Sequence, residues 1–227
     1  KLASDELNAQ IEQVNTITKK YDSDSMVIGE GPCTKDLITI TDKDFKTVSV
    51  VSIAAIFIII ICVFKSAVLP IVLVAAIEFA IFINMCLPYY LNTTIPFISS
   101  VVIGTIQLGA TVDYAILMTT RYRKERFEGA SKKEAISIAL STSIPSVIVS
   151  ALGFFAATFG VGVYSSVDMI GSLCTLMARG AIISMFVVIF ILPSFFVVFD
   201  KIIIHTSKGF IDKSRKIKAV NPEVNNI

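Results

Sequence analysis

Polar and apolar positions divide this 227-residue chain into two kinds of sequence. Over residues 4–21, Leu7, Ile11, Val14, Thr18 and Tyr21 recur at helical spacing with Asp, Glu, Lys and Gln between them. That periodicity predicts an amphipathic surface helix of a soluble lobe. A short strand is expected at 25–29. The GEGP turn at 29–32 breaks the chain, and Thr34, Lys35 and Asp36 read as the start of a helix leading down to a membrane. This opening segment cannot bury a core alone.

Beyond residue 47 the pattern changes to long apolar runs at 48–64, 67–87, 95–120, 144–163 and 181–199. Most approach the ~20 residues needed to cross ~30 Å of hydrocarbon at ~1.5 Å per residue. The first is the shortest, and its polar flank at 45–47 is expected to help it across. Five such runs are too many for buried helices of a soluble core. The expected fold class is an all-α polytopic membrane protein: a bundle of five transmembrane helices preceded by a small α/β tail.

Composition agrees, since 54% hydrophobic residues, 16 Phe and only 17% charged residues exclude an ordinary soluble domain. The net charge of +2 hides two opposed regions. Residues 1–47 are acidic in balance, whereas basic clusters follow Thr120 and Phe199. This asymmetry reads as topology and not as nucleic-acid binding. Lys65 follows the first run, 88–94 carries no charge, and the third loop holds Arg121, Arg123, Lys124, Arg126, Lys132 and Lys133. The fourth loop lacks Lys and Arg up to Ala178, and the tail is basic again from Lys201 to Lys218. The alternation predicts the N-terminal segment outside and the C-terminus in the cytoplasm. The expected organisation is an extracytoplasmic segment at 1–47, the membrane domain at 48–203 and a cytoplasmic tail at 204–227.

Arg179 is the exception, and it is expected to snorkel to the outer interface, with 167–177 lying at the outer surface. His205 is expected to be solvated. Cys33, Cys62, Cys86 and Cys174 have no metal-ligand spacing, so neither a disulfide nor a metal is expected. The chain opens on Lys1 rather than Met, with a polar segment ahead of its first span. It is expected to be a fragment of something longer.

The candidate chemistry centres on Asp113, inside the third run. A charge within a span costs about 2.5–3.5 kcal/mol on insertion, which makes an intramembrane acid a functional candidate. Asp113 is expected near mid-depth, ~12 Å of helix rise from Arg121. Tyr114 adds a hydroxyl beside it, while Gly109, Ala110 and Gly104 leave room for another helix. Gln107 joins the candidates that support the acid. In the fourth run Ala139, Ser143, Ser146, Ser150, Gly153 and Ala157 recur three or four residues apart, forming a small, lightly polar face. That face is expected to pack on the Asp113 helix and to bring Ser146 or Ser150 to the carboxyl, although ordinary serine-mediated packing explains it equally well. Glu78 is a second intramembrane acid with no evident partner. A bundle held together by a neutral, hydrogen-bonded Asp113 is the bland alternative to a proton or cation site.

The segment LGATVDYAILMTTRY resembles a motif of the MMPL-type branch of the resistance-nodulation-division (RND) exporters, in which an Asp-Tyr pair in a Gly-rich helix precedes Arg-rich cytoplasmic sequence. VIGEGPCTKDL, IEFAIFINMCLPYYL, SIPSVIVSALGFF and ARGAIISMFVVIFILP are similar to other segments of that family, in the same order. The resemblance implies the end of the second half of a two-half transporter in a bacterial plasma membrane. Residues 1–47 would be the tail of an extracytoplasmic porter domain and the five runs spans eight to twelve. It implies Asp113 as proton acceptor and Tyr114 as its hydrogen-bond partner, in a relay driving export of lipids or hydrophobic compounds. The implied partners are the N-terminal half of the same transporter and the lipid or hydrophobic substrate. A homo-oligomer is compatible with it. No cofactor beyond the proton gradient is implied.

Two other readings compete. Intramembrane aspartyl proteases use two transmembrane Asp residues, and here Asp113 is the only Asp within a run, so no enzyme is expected. A non-transporting scaffold or protein-translocation partner would keep Asp113 for packing. The substrate, and H⁺ against Na⁺ coupling, are not legible. ATP-driven transport is not expected, because no GxxxxGK[ST] loop occurs.

Overall fold

The computed structural model describes residues 4–93, 95–96 and 98–206, without the side chains at 42, 100 and 205. The chain divides into two compact units, one ending at Val50 and the other beginning at Val51. Every regular element among the described residues is helical.

The first unit contains α1 (Asp5–Tyr21) and the beginning of α2 (Glu30–Phe64). Ser4 caps α1, its hydroxyl accepting from the Leu7 N–H at 3.4 Å. Asp5 and Glu6 in the first turn and Lys19 and Lys20 in the last complement the helix dipole. Gly31 lets α2 approach α1 closely, because a Cβ there would lie 3.3 Å from Ile11 Cδ1. Lys35 Nζ donates to Glu12 Oε1 at 2.7 Å, and that ammonium holds the Glu12 carboxyl below the usual carboxylate range. No residue of α1 is buried, so these helices enclose no core of their own.

The expected strand at 25–29 is a correction: residues 25–28 form no strand and Gly29 opens a turn with φ +150°. Met26, Val27 and Ile28 read as a strand locally, but backbone donors and acceptors need a partner strand and none exists among the described residues. The α/β tail is therefore an all-helical segment. The helix expected from Thr34 starts at Glu30, since Pro32 falls in the first turn, where its missing N–H breaks no helical bond.

In the second unit, the rest of α2 is followed by α3 (Val68–Tyr90), α4 (Ser99–Phe127), α5 (Lys132–Tyr164) and α6 (Asp168–Phe186). A π-helical turn, Val187–Ile191, links α6 to α7 (Leu192–Thr206), so that helix runs unbroken from Asp168. Five stretches among the described residues are long and apolar enough to cross a membrane: Glu30–Phe64, Val68–Tyr90, Val101–Phe127, Lys132–Tyr164 and Asp168–Ile204. The chain is a multi-pass membrane protein. Exposed Ile71, Phe79, Phe82, Val149, Phe186 and Phe190 form the apolar outer surface that lipid requires and water does not tolerate.

α5 starts well before the expected span because Ser131 and Glu134 form its N-terminal cap, Ser131 Oγ accepting from the Glu134 N–H at 3.3 Å. α5 and α6 approach through glycine: a Cβ on Gly162 would lie 3.0 Å from Thr175 Oγ1, and one on Gly171 3.3 Å from the Gly162 carbonyl. The core is filled by Leu69, Leu73, Ile77, Leu108, Met118, Tyr122, Leu192 and Phe196. Residues 167–177 form the Val167 cap and the first three turns of α6. Residues 204–206 still belong to α7, while the expected tail from 207 onward and the His205 side chain lie outside the described residues.

Candidate functional site

α4 carries three polar features on different faces or at different depths. Asp113 is its central residue, fourteen from Ser99 and fourteen from Phe127, so ~21 Å of helix rise separates it from either end. Its side chain is exposed on a face shared with Ile106, Gly109 and Thr120. Tyr114, 8% exposed, points instead into the core. No hydrogen bond joins Asp113 to Tyr114, Ser146 or Ser150, and Asp113 forms no ion pair among the described residues.

The expected supporting face of α5 is turned away. Ala139 and Ser143 are buried, but Ser146, Ser150, Gly153 and Ala157 are exposed, and the buried line runs through Val147 and Ala151. A small-residue stripe signals that a helix approaches closely without saying which helix. Here the chain's own bundle takes the adjacent face, ~100° around the axis. The open stripe of α5 and the Asp113 face of α4 are therefore both uncovered among the described residues. Gly109 belongs to that uncovered region, since a Cβ there would meet nothing within 4 Å. Glu78 is half-buried on α3 and makes no hydrogen bond or ion pair among the described residues.

Gln107, expected to support Asp113, belongs to a separate knot of three helices. It is 2% exposed, and its Oε1 accepts from Asn84 Nδ2 at 2.9 Å while its Nε2 donates to Ser184 Oγ at 2.9 Å and to the Gly180 carbonyl at 3.3 Å. Asn84 Nδ2 also donates to the Leu176 carbonyl at 3.1 Å. Arg179 completes the knot: its Nε donates to Asn84 Oδ1 at 2.9 Å and its Nη2 to the Asn84 carbonyl at 2.8 Å. The guanidinium expected to snorkel is therefore anchored to α3 by two hydrogen bonds. Gly180 makes the crossing possible, because a Cβ would stand 2.6 Å from Gln107 Oε1 and 2.7 Å from Asn84 Nδ2. Sequence reasoning missed this knot. Its only sequence signals are an Asn, a Gln and an Arg in apolar helices, and nothing local pairs residues 95 positions apart.

At the other end, Asp200 is 5% exposed and clasps α4 to α7. Tyr122 donates its hydroxyl to Asp200 Oδ1, and Arg126 donates through Nη2 to Oδ2 at 3.0 Å and through Nε to Oδ1 at 3.2 Å. A third Arg126 bond reaches the Ala130 carbonyl at 2.7 Å, and Tyr122 stacks on Phe196 with ring centroids 5.0 Å apart. Both the knot and the clasp are fixed by side-chain hydrogen bonds between helices. Among the described acidic residues of the apolar runs, Asp113 alone combines a mid-helix position, an exposed side chain and the lack of a hydrogen bond or ion pair.

The sequence model of the MMPL family matches residues 1–218. Among curated proteins, the membrane protein YdgH of Bacillus subtilis is 27% identical over 146 residues, covering 61% of this chain and 16% of that protein. The membrane protein ActII-3 of Streptomyces coelicolor is 23% identical over 165 residues, covering 71% of this chain and 23% of that protein. The matched region is thus under a quarter of the length of either relative. No solved structure gives a significant match.

Proposed function

We propose that this chain, which belongs to the MMPL family, forms part of an RND-like exporter of lipids or hydrophobic compounds driven by the proton-motive force. Asp113 is the proton carrier and Tyr114 its neighbour in the relay. The observation that carries this reading is the Asp113 carboxylate, central in a membrane-length helix, exposed on the bundle's own surface and free of hydrogen bonds and ion pairs among the described residues.

A carboxylate facing lipid is costly, so a partner must cover it. In this reading the cover is a helix from the other half of the transporter, packed on Gly109 and on the stripe through Ser146, Ser150 and Gly153. When that interface opens to water the carboxylate is favoured, and when it closes around apolar groups the protonated acid is favoured. Alternation between the two loads and releases a proton, and the chain performs no covalent chemistry. Charged-loop alternation supports the N-terminal segment outside and the C-terminus in the cytoplasm.

Export of a lipophilic dye from vesicles holding the full-length protein tests the energy source. Collapsing the pH gradient with a protonophore should stop export, and a sodium gradient should not restore it. Export that survives the protonophore and follows a sodium gradient would favour sodium coupling, and no export under any gradient would favour the scaffold.

A further inference from the structure

Arg179 also lines a cavity that the knot leaves open. The space, ≈ 780 Å³, lies between the loop after α3, the end of α5 and the first turns of α6, with Asn92, Ser165 and Asp168 among its polar residues and Leu91, Ile95 and Leu176 among its apolar ones. Its volume falls within the range of small-ligand sites. Arg179 uses one N–H of Nε and one of Nη2 on Asn84, which leaves three of its five donors. It has no carboxylate partner among the described residues, and Asp168, the other charged residue of the lining, is exposed at the first position of α6.

Depth identifies the occupant. Asp200 lies twenty-one positions beyond Arg179 on one continuous helix, ~32 Å of rise, which is close to the hydrocarbon thickness. Arg179 therefore stands at one edge of the hydrocarbon, and the eleven residues back to Asp168 rise ~16 Å through the headgroup layer. The cavity occupies that layer. A guanidinium held there, with donors to spare, matches the paired oxygens of phosphate or carboxylate, and the apolar lining receives the start of an acyl chain.

We propose that this cavity binds the anionic headgroup of a membrane amphiphile, its phosphate or carboxylate seated on Arg179. The site is separate from the Asp113 face and does not depend on the direction of transport or on its energy source.

The test counts tightly bound lipid on the purified full-length protein by native mass spectrometry, after exposure to micelles containing phosphatidylglycerol or phosphatidylcholine. Arg179→Gln removes the charge, while Ser172→Phe fills the cavity and leaves the Arg179–Asn84 bonds intact. Each variant should lose one phosphatidylglycerol that the unaltered protein retains, with affinity falling roughly ten-fold or more. Thermal melting of the same samples confirms that both variants are folded. Inorganic phosphate is the second arm: if it displaces the lipid at equal concentration, the anion site stands but the lipid source is overturned. Retention unchanged in the folded variants, or equal retention of phosphatidylcholine, would overturn the proposal.

Discussion

Gln107 and Asp113 stand six residues apart on α4 and face directions ~120° apart, one locked in a buried three-helix knot and the other open on the bundle surface. The helix thus separates its structural polar group from its candidate functional one. The knot fixes the position of α4 against α3 and α6, and the free carboxylate is carried on the rigid element that results.

The knot is packed to the limit at Gly180. Gly180→Ala in the full-length protein should break the bonds of Gln107 or Asn84 and cost about 1–3 kcal/mol, seen as a lower Tm in detergent. Gly109→Ala adds the same methyl group to open space within this chain. A comparable loss at Gly109 would reveal a helix from elsewhere pressed on that face.

The clasp at Asp200 should behave as a buried pair. Asp200→Ala removes the buried carboxylate to which Arg126 and the Tyr122 hydroxyl both donate, at a cost of about 3–5 kcal/mol. Breaking the exposed Lys124–Glu128 pair, 3.9 Å apart, should change stability by less than ~1 kcal/mol. Equal Tm shifts for the two would show that the clasp is solvated in the assembled protein.

Sidedness follows from the loops. In a Cys-less background, Leu91→Cys should react with an impermeant maleimide added outside cells, and Lys133→Cys should react only after permeabilisation. The reverse pattern inverts the orientation.

Continuous apolar runs made the five spans legible, because length and composition suffice to mark a helix in lipid. The link between α1 and α2 was not legible, because Met26 to Ile28 satisfy a local strand pattern whose partner does not exist among the described residues. The face of α5 was misassigned because Ser146 and Ser150 mark a close approach without naming the approaching helix. Arg179 was read alone, since its bond to Asn84 is a property of the packed helices. Asp113 was legible as a candidate because a lone acid in an apolar helix is costly wherever that helix packs.

Glu78 should matter less than Asp113. It is half-buried on α3 without a hydrogen bond or ion pair among the described residues, and no small-residue face accompanies it. Glu78→Gln should therefore retain most transport, and complete loss at normal protein level would make it the coupling acid.

The most direct measurement is proton flux coupled to export, followed with a pH-sensitive dye in vesicles carrying full-length Asp113→Asn at matched protein level. Asn keeps the shape and removes the exchangeable proton, so gradient-driven export and its accompanying proton movement should both vanish, while Tyr114→Phe should only slow them. Normal proton flux and export in the Asn variant would contradict the account and leave Asp113 as a packing residue.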